Sequence, residues 1–220
     1  MPTKFVCLSN SFKEGGRCIA GVELNDDNTP VKTDGHLKWI RPVSHSVHGE
    51  VATHLVDHIN VLDVVEITLD GYPPEKNYQS ENVFFRADSI NVAGTFNPEN
   101  ICELCDNRNN IFGNRNKAIS AQEILNLNYS LMLVKADLFE VVNQVYDDNV
   151  HNPKTRLNFA FRGYNYNLPV TDPVFLYKYR SDTNYLKNCM HLFLCLSITV
   201  PWNDWYYKLI ATVIPVFNKE

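Results

Sequence analysis

Three groupings of side chains in this 220-residue sequence have the types and spacing to hold an anionic or aromatic ligand. The first is the stretch Ser9-Asn10-Ser11-Phe12-Lys13-Glu14-Gly15-Gly16-Arg17. Hydroxyls, an amide, the cations Lys13 and Arg17 and backbone N–H groups freed by glycine are the parts of a phosphate cradle. The spacing is not that of a P-loop, and a strand rather than a helix is expected to follow. The same stretch also reads as a plain hairpin turn that uses glycine for positive φ. The second grouping is Trp39 with Arg41. Alternate residues of a strand share a face, so indole and guanidinium are expected side by side, suited to base stacking with a phosphate contact. Pro42 points to a strand end or a sheet edge. The competing reading is a core tryptophan beside a surface arginine. The third grouping is Arg156, Arg162, Tyr164, Tyr166, Tyr206, Tyr207 and Lys208, basic residues interleaved with aromatics. Tyrosine is also ordinary strand composition.

Metal and covalent chemistry have weaker signatures. Five of the seven histidines (36, 45, 48, 54 and 58) fall within 23 residues. His54 and His58 are four apart, which puts both on one face of a helix, with Asp57 adjacent and His45 or His48 near enough in sequence to complete a metal set. There is no HExxH motif, and exposed helix histidines are the plainer reading. Cys102-Glu103-Leu104-Cys105 is a lone CxxC without the second pair that zinc sites use. The six cysteines are expected to be reduced and mostly buried. No nucleophile elbow, paired carboxylates or Ser-His-Asp order stands out. Asp172, before Pro173, reads as a helix N-cap. The expectation is a non-enzymatic protein with no cofactor; a metal-dependent nuclease using the histidines is the enzymatic alternative.

The sequence carries 20 Lys+Arg against 25 Asp+Glu, a formal charge of −5. That excludes a polycation holding nucleic acid by bulk charge. The average hides a division. Residues 1–150 hold 12 basic and 21 acidic residues, whereas residues 151–220 hold 8 and 4. The change falls at the polar stretch 146–153, and asymmetry of this kind suits an anionic partner as well as a solvated face. No run of about 18 apolar residues is present, so no membrane-spanning helix is expected. The N-terminus lacks a signal-peptide pattern, and a cytoplasmic protein is the expectation. Asparagine, at 26 residues, favours turns and irregular connections.

The elements that must position these groups are mostly short strands. In the first half, residues 4–9, 17–24 and 38–43 read as strands, 49–58 as an amphipathic helix, and 61–69 and 83–91 as two more strands. Asn97-Pro98-Glu99 and the capping box Ser120–Glu123 open short helices around a polar loop at 107–117. Residues 130–136, 139–145, 156–161 and 164–168 are strands, followed by a helix from Asp172-Pro173 to about residue 185 and strands at 192–200 and 206–216. A β-β-β-α-β-β order is that of an OB-fold. The fold class is therefore mainly β with short helices, two OB-like five-stranded barrels in tandem. The first barrel is assigned to 1–95, a helical and loop connection to 96–129, and the second barrel to 130–220.

The motifs Val6-Cys7-Leu8-Ser9-Asn10-Ser11, Gly15-Gly16-Arg17-Cys18-Ile19-Ala20-Gly21, Lys38-Trp39-Ile40-Arg41-Pro42-Val43-Ser44 and Tyr166-Asn167-Leu168-Pro169-Val170-Thr171-Asp172-Pro173 follow one another in order. Together with Cys195-Leu196-Ser197 and Tyr207-Lys208-Leu209-Ile210-Ala211, they make the chain resemble the bacterial dual OB-fold-containing domain family over nearly its whole length. The resemblance implies a nucleic-acid- or nucleotide-binding module, accessory to a prokaryotic defence or mobile-element system. On this reading Ser9, Asn10, Lys13, Arg17, Trp39, Arg41, Arg156, Arg162, Tyr164 and Lys208 contact the ligand, with no membrane partner. The alternative is an interaction subunit that docks on a neighbouring effector enzyme, which the acidic first half would suit.

Overall fold

Apolar runs such as Phe5-Val6-Cys7-Leu8 and Ile19-Ala20 fit a pleated surface buried on both faces, and they form the centre of the first sheet. The computed structural model describes residues 2–73, 77–144 and 154–217. Two compact units divide the chain, Met1–Asn107 and Arg108–Glu220.

In the first unit, β1 (Thr3–Lys13) turns into β2 (Gly16–Leu24). Glu14 and Gly15 connect them with φ of 45° and 82°, the two positive values of a type I′ turn. A small hairpin follows, β3 (Lys32–Thr33) and β4 (His36–Leu37), and then β5 (Trp39–Val43), α1 (Thr53–Val56), β6 (Asp63–Ile67), β7 (Asn82–Phe84) and β8 (Asn91–Thr95). β1 pairs antiparallel with β2 and with β6, β2 pairs with β5, and β5 pairs in parallel with β7. An antiparallel bridge between Leu69 and Phe85 brings the end of β6 to β7. The ring β1-β2-β5-β7-β6-β1 is the first-second-third-fifth-fourth strand order of an OB barrel, with α1 between its third and fourth strands. Phe5, Ile19, Ile40 and Val65 fill the core, and Val56 of α1 packs into it. Gly21 is required where β1 crosses: a Cβ there would stand 1.7 Å from the Val6 carbonyl oxygen. β8 lies outside the ring on β6, exposed at all five residues.

The second unit repeats the plan with β9 (Ala118–Ser120), β10 (Leu131–Ala136), β11 (Phe139–Gln144), β12 (Lys154–Phe161), β13 (Tyr164–Pro169), α2 (Pro173–Ser181), β14 (Cys189–Ile198) and β15 (Trp205–Phe217). β11-β12-β13 is an antiparallel meander, and β10-β14-β15 a second one extended by β9. A parallel bridge, Val170 to Ile210, joins the end of β13 to β15. β10 and β11 act as two arms of one bent first strand, one paired with the fourth strand and one with the second. The expected order of strands and helix is thus present twice.

Several boundaries differ from the sequence reading. β1 continues to Lys13, so residues 9–13 are strand rather than loop. β5 lies between β2 and β7 and is not an edge, despite Pro42. The helix expected over 49–58 shrinks to the single turn of α1, because Val51 is captured by Arg17 through two backbone hydrogen bonds of 2.8 and 2.9 Å. The fifth strand of the first barrel is β7, and residues 91–95 go to the outlying β8. The segment 96–129 is divided between the units: Ile101 and Leu104 are buried in the range of the first, Ile111, Phe112 and Ile119 in that of the second. α2 stops at Ser181. The stretch 146–153 lies outside the described residues.

Asp172 caps α2 as expected and does more. Its Oδ1 accepts from the N–H groups of Val174 and Phe175 at 2.9 and 3.0 Å, and its Oδ2 accepts from Val213 N–H of β15 at 2.9 Å. Burial pushes the carboxyl pKa up against the pull of these three donors. Asp172→Ala removes a cap and a buried charge-assisted link, so a loss of about 2–4 kcal/mol is expected in urea unfolding. Asp172→Asn, which keeps the cap oxygen, is expected to lose less.

Candidate nucleic-acid interface

The first-unit candidates face inward more than their types suggested. Ser9 is 1% exposed, and Asn10 donates from Nδ2 to the carbonyls of Val56 and Ile59 at 2.8 and 2.9 Å, fastening the end of α1. Neither joins a cradle with Lys13 and Arg17, which sit at the far end of the hairpin. Arg17 lies 4.2 Å over the ring of its cross-strand partner Phe12, itself 64% exposed. Trp39 and Arg41 do share a strand, but both are buried. Arg41 Nη2 is 3.0 Å from Glu81 Oε1, and Nη1 donates to Asn82 Oδ1 at 3.2 Å. An arginine spent on a buried carboxylate cannot hold a phosphate, so the accessible Trp39–Arg41 pair is corrected to a core ion pair.

Lys208 is corrected in the same way. Its side chain is fully buried and donates from Nζ to the Ile111 and Asn114 carbonyls at 2.6 and 2.8 Å and to Asn114 Oδ1 at 2.6 Å. It pins the 107–117 segment, together with the buried Ile111 and Phe112. Arg156, 8% exposed, is engaged with Asn167: Nε donates to its Oδ1 and Nη2 to its carbonyl at 2.7 Å. Arg162 is exposed, in a two-residue turn with Gly163 at φ of 51° and 79°, and Tyr164 is half-buried with Arg115 against it. Arg115 lies 3.4 Å over the Tyr164 ring and also donates to its hydroxyl.

The strongest aromatic feature of the surface went unread in the sequence. Trp202-Asn203-Asp204-Trp205 joins the fourth and fifth strands of the second barrel as a type I′ hairpin, with Asn203 and Asp204 at φ of 49° and 62°. Trp202 and Trp205 exchange backbone hydrogen bonds of 2.9 and 3.1 Å. Directly opposed residues project to one face of a hairpin, and the two indoles are 66% and 45% exposed. The Trp202 ring is 6.2 Å from that of Tyr207, whose backbone pairs with Ala118. The exposed Arg115 and Lys117 immediately precede that strand. The surface of the second barrel thus carries two aromatic groupings, Trp202 and Trp205 with Tyr207, and Tyr164 with Arg115 beside the Arg162 turn. The clue in the sequence was the turn-forming Asn-Asp flanked by two tryptophans.

His54 and His58 are both exposed, but α1 ends before His58 and they share no helical face. Among the described residues no three His, Cys, Asp or Glu side chains gather to hold a metal ion. Of the cysteines only Cys7 and Cys195 are buried; Cys102 is exposed and the other three are half-buried. No helix among the described residues is long and apolar enough to cross a membrane.

The sequence profile of the dual OB-containing domain matches residues 3–213. The chain belongs to the dual OB-containing domain family. No curated protein matches. Among solved structures this dual OB chain is similar to the crystal structure of the tetrameric p202 HIN2, at 10% identity and a TM-score of 0.35, over 100% of this chain and 94% of that one.

Two buried cations in the dual OB chain make different predictions from those of a surface site. Arg41→Ala removes the cation paired with the buried Glu81 carboxylate, so a loss of about 3–5 kcal/mol is expected in denaturant unfolding. The Lys208 pKa is pulled by burial to about 7 against the attraction of Glu123, below the 10.5 of a free lysine. Between these values the unfolded chain binds more protons, so this group's contribution to stability rises with pH from 7 upward. Urea midpoints of the second unit are expected to climb between pH 7 and 9. Fluorescence of Trp202 and Trp205 in a Trp39→Phe chain reads this directly, and a flat profile would count against a depressed Lys208.

Proposed function

We propose that the protein binds single-stranded nucleic acid or a nucleotide-type ligand through its second barrel. The observation that carries this reading is the pair of exposed indoles on the Trp202–Trp205 hairpin, with Tyr207 beside them and Arg115, Tyr164 and Arg162 on the same barrel. The hairpin between the fourth and fifth strands is one of the loops with which OB barrels hold oligonucleotides. Stacking on aromatic rings accepts any base and contributes about 1–3 kcal/mol per base. The cations beside the rings meet the phosphates. Residues 108–220 carry 12 Lys+Arg against 9 Asp+Glu, so the local balance favours an anion where the whole-chain charge does not. A module that binds without cutting fits the accessory role in defence or mobile elements that the family resemblance implies.

The first unit supports a second reading, a surface for a protein partner such as a neighbouring effector enzyme. It carries 8 Lys+Arg against 16 Asp+Glu, and β8 offers an exposed, uncharged edge.

Fluorescence anisotropy with labelled dT10 tests the first reading. Trp202→Ala and Trp205→Ala are each expected to weaken binding about tenfold or more with little change in melting temperature. Three phosphate contacts from Arg115, Lys117 and Arg162 imply a log-log salt slope of about −2. Binding that ignores both tryptophans would overturn the assignment.

A further inference from the structure

The outer face of β11, β12 and β13 holds a groove of about 560 Å³. It carries amides and one carboxylate, Asn158, Asn165, Asn167 and Glu140, with Leu138 at its lip. The amides are oriented by a chain of hydrogen bonds across the three strands. Arg156 has no acceptor atom, so Asn167 must turn its Oδ1 toward Arg156. That leaves Asn167 Nδ2 to donate to Asn158 Oδ1, and Asn158 Nδ2 to donate to Glu140 Oε2 at 3.2 Å. A buried guanidinium at one end thus fixes a carboxylate at the other, with donors and acceptors set in one direction.

Glu140 has a second oxygen, Oε1, that accepts from no other described residue, and the side chain is exposed to the groove. A carboxylate there disfavours phosphate and calls for a ligand with N–H donors. Of the four bases only guanine offers two parallel donors, N1–H and the N2 amino group, matched to the two oxygens of one carboxylate. Leu138, 72% exposed, provides an apolar surface for a base face. Arg162 follows Phe161 at the end of β12, one turn from the groove-lining Ala160 and Asn165, where a flanking phosphate would lie. We infer that this groove reads a guanine base, with Glu140 as the specificity-determining residue and Arg156, Asn167 and Asn158 positioning it. The inference rests on the nucleic-acid reading above, since it supplies base preference to aromatic rings that by stacking have none.

The test measures anisotropy with dT10, with the same strand carrying one central dG, and with the dG replaced by inosine, which lacks the N2 amino group. The expected result is about tenfold tighter binding of the dG strand than of dT10, with inosine losing most of that gain. Glu140→Gln, nearly isosteric on an exposed strand position, is expected to bring the dG to dT10 ratio close to one. Arg156→Lys is expected to reduce the ratio without abolishing it. Equal affinities for all three strands, while Trp202→Ala still weakens dT10, would overturn the guanine site and leave the nucleic-acid reading standing. A preference that survives in Glu140→Gln would also overturn it. Absence of binding to any strand would overturn both.

Discussion

A five-stranded barrel of this topology closes only if its third and fifth strands meet in parallel, and in both units that meeting is short, three residue pairs in the first and one bridge in the second. Both units spend a buried charge there. In the first, Arg41 on β5 forms its ion pair with Glu81, the residue before β7, and its N–H donates to the Glu81 carbonyl at 2.8 Å. In the second, Asp172 follows β13 and accepts from Val213 of β15, next to a Thr171 N–H to Ile210 carbonyl bond of 2.9 Å. Burying charge is costly unless it is paired and hydrogen-bonded. Arg41 is compensated by the Glu81 carboxylate, and Asp172 by three backbone N–H donors. The two barrels share a mechanical requirement and have reached different chemical solutions to it.

This requirement explains which parts of the sequence misled. Alternation, turn residues and the Asp172-Pro173 cap made the order of strands and helices legible, because they are local signals. Arg41 and Lys208 were read as ligand contacts because charge at a strand position usually means surface. Their partners, Glu81 and the 111–114 segment, lie about 40 and 95 residues away in sequence, and nothing local reveals them. The opposite error hid Trp202 and Trp205. A tryptophan in a β-rich sequence is normally a core residue, and only the geometry of the Asn203-Asp204 turn turns both outward. Arg162 and Tyr164 kept accessible positions because they flank a turn rather than a closure.

The same distinction separates the surfaces of the two units. The first unit's candidate cations are Lys13, Arg17 and Arg41, and the last of them lies inside the fold. The second barrel keeps Arg115, Lys117 and Arg162 at its surface and confines Lys208 and Arg156 to positioning tasks. Charge counted along the sequence points to the second half; burial decides which of its charges reach solvent.

β8 has a consequence of another kind. Held by one neighbour and packed on neither face, it contributes an edge to the first barrel without contributing to its core. Segments with few buried contacts and exposed hydrogen bonds are the first to open. The first barrel can therefore breathe at this margin while its ring stays shut, and the chain tolerates drift or added length there that the closures at Glu81 and Val213 would not.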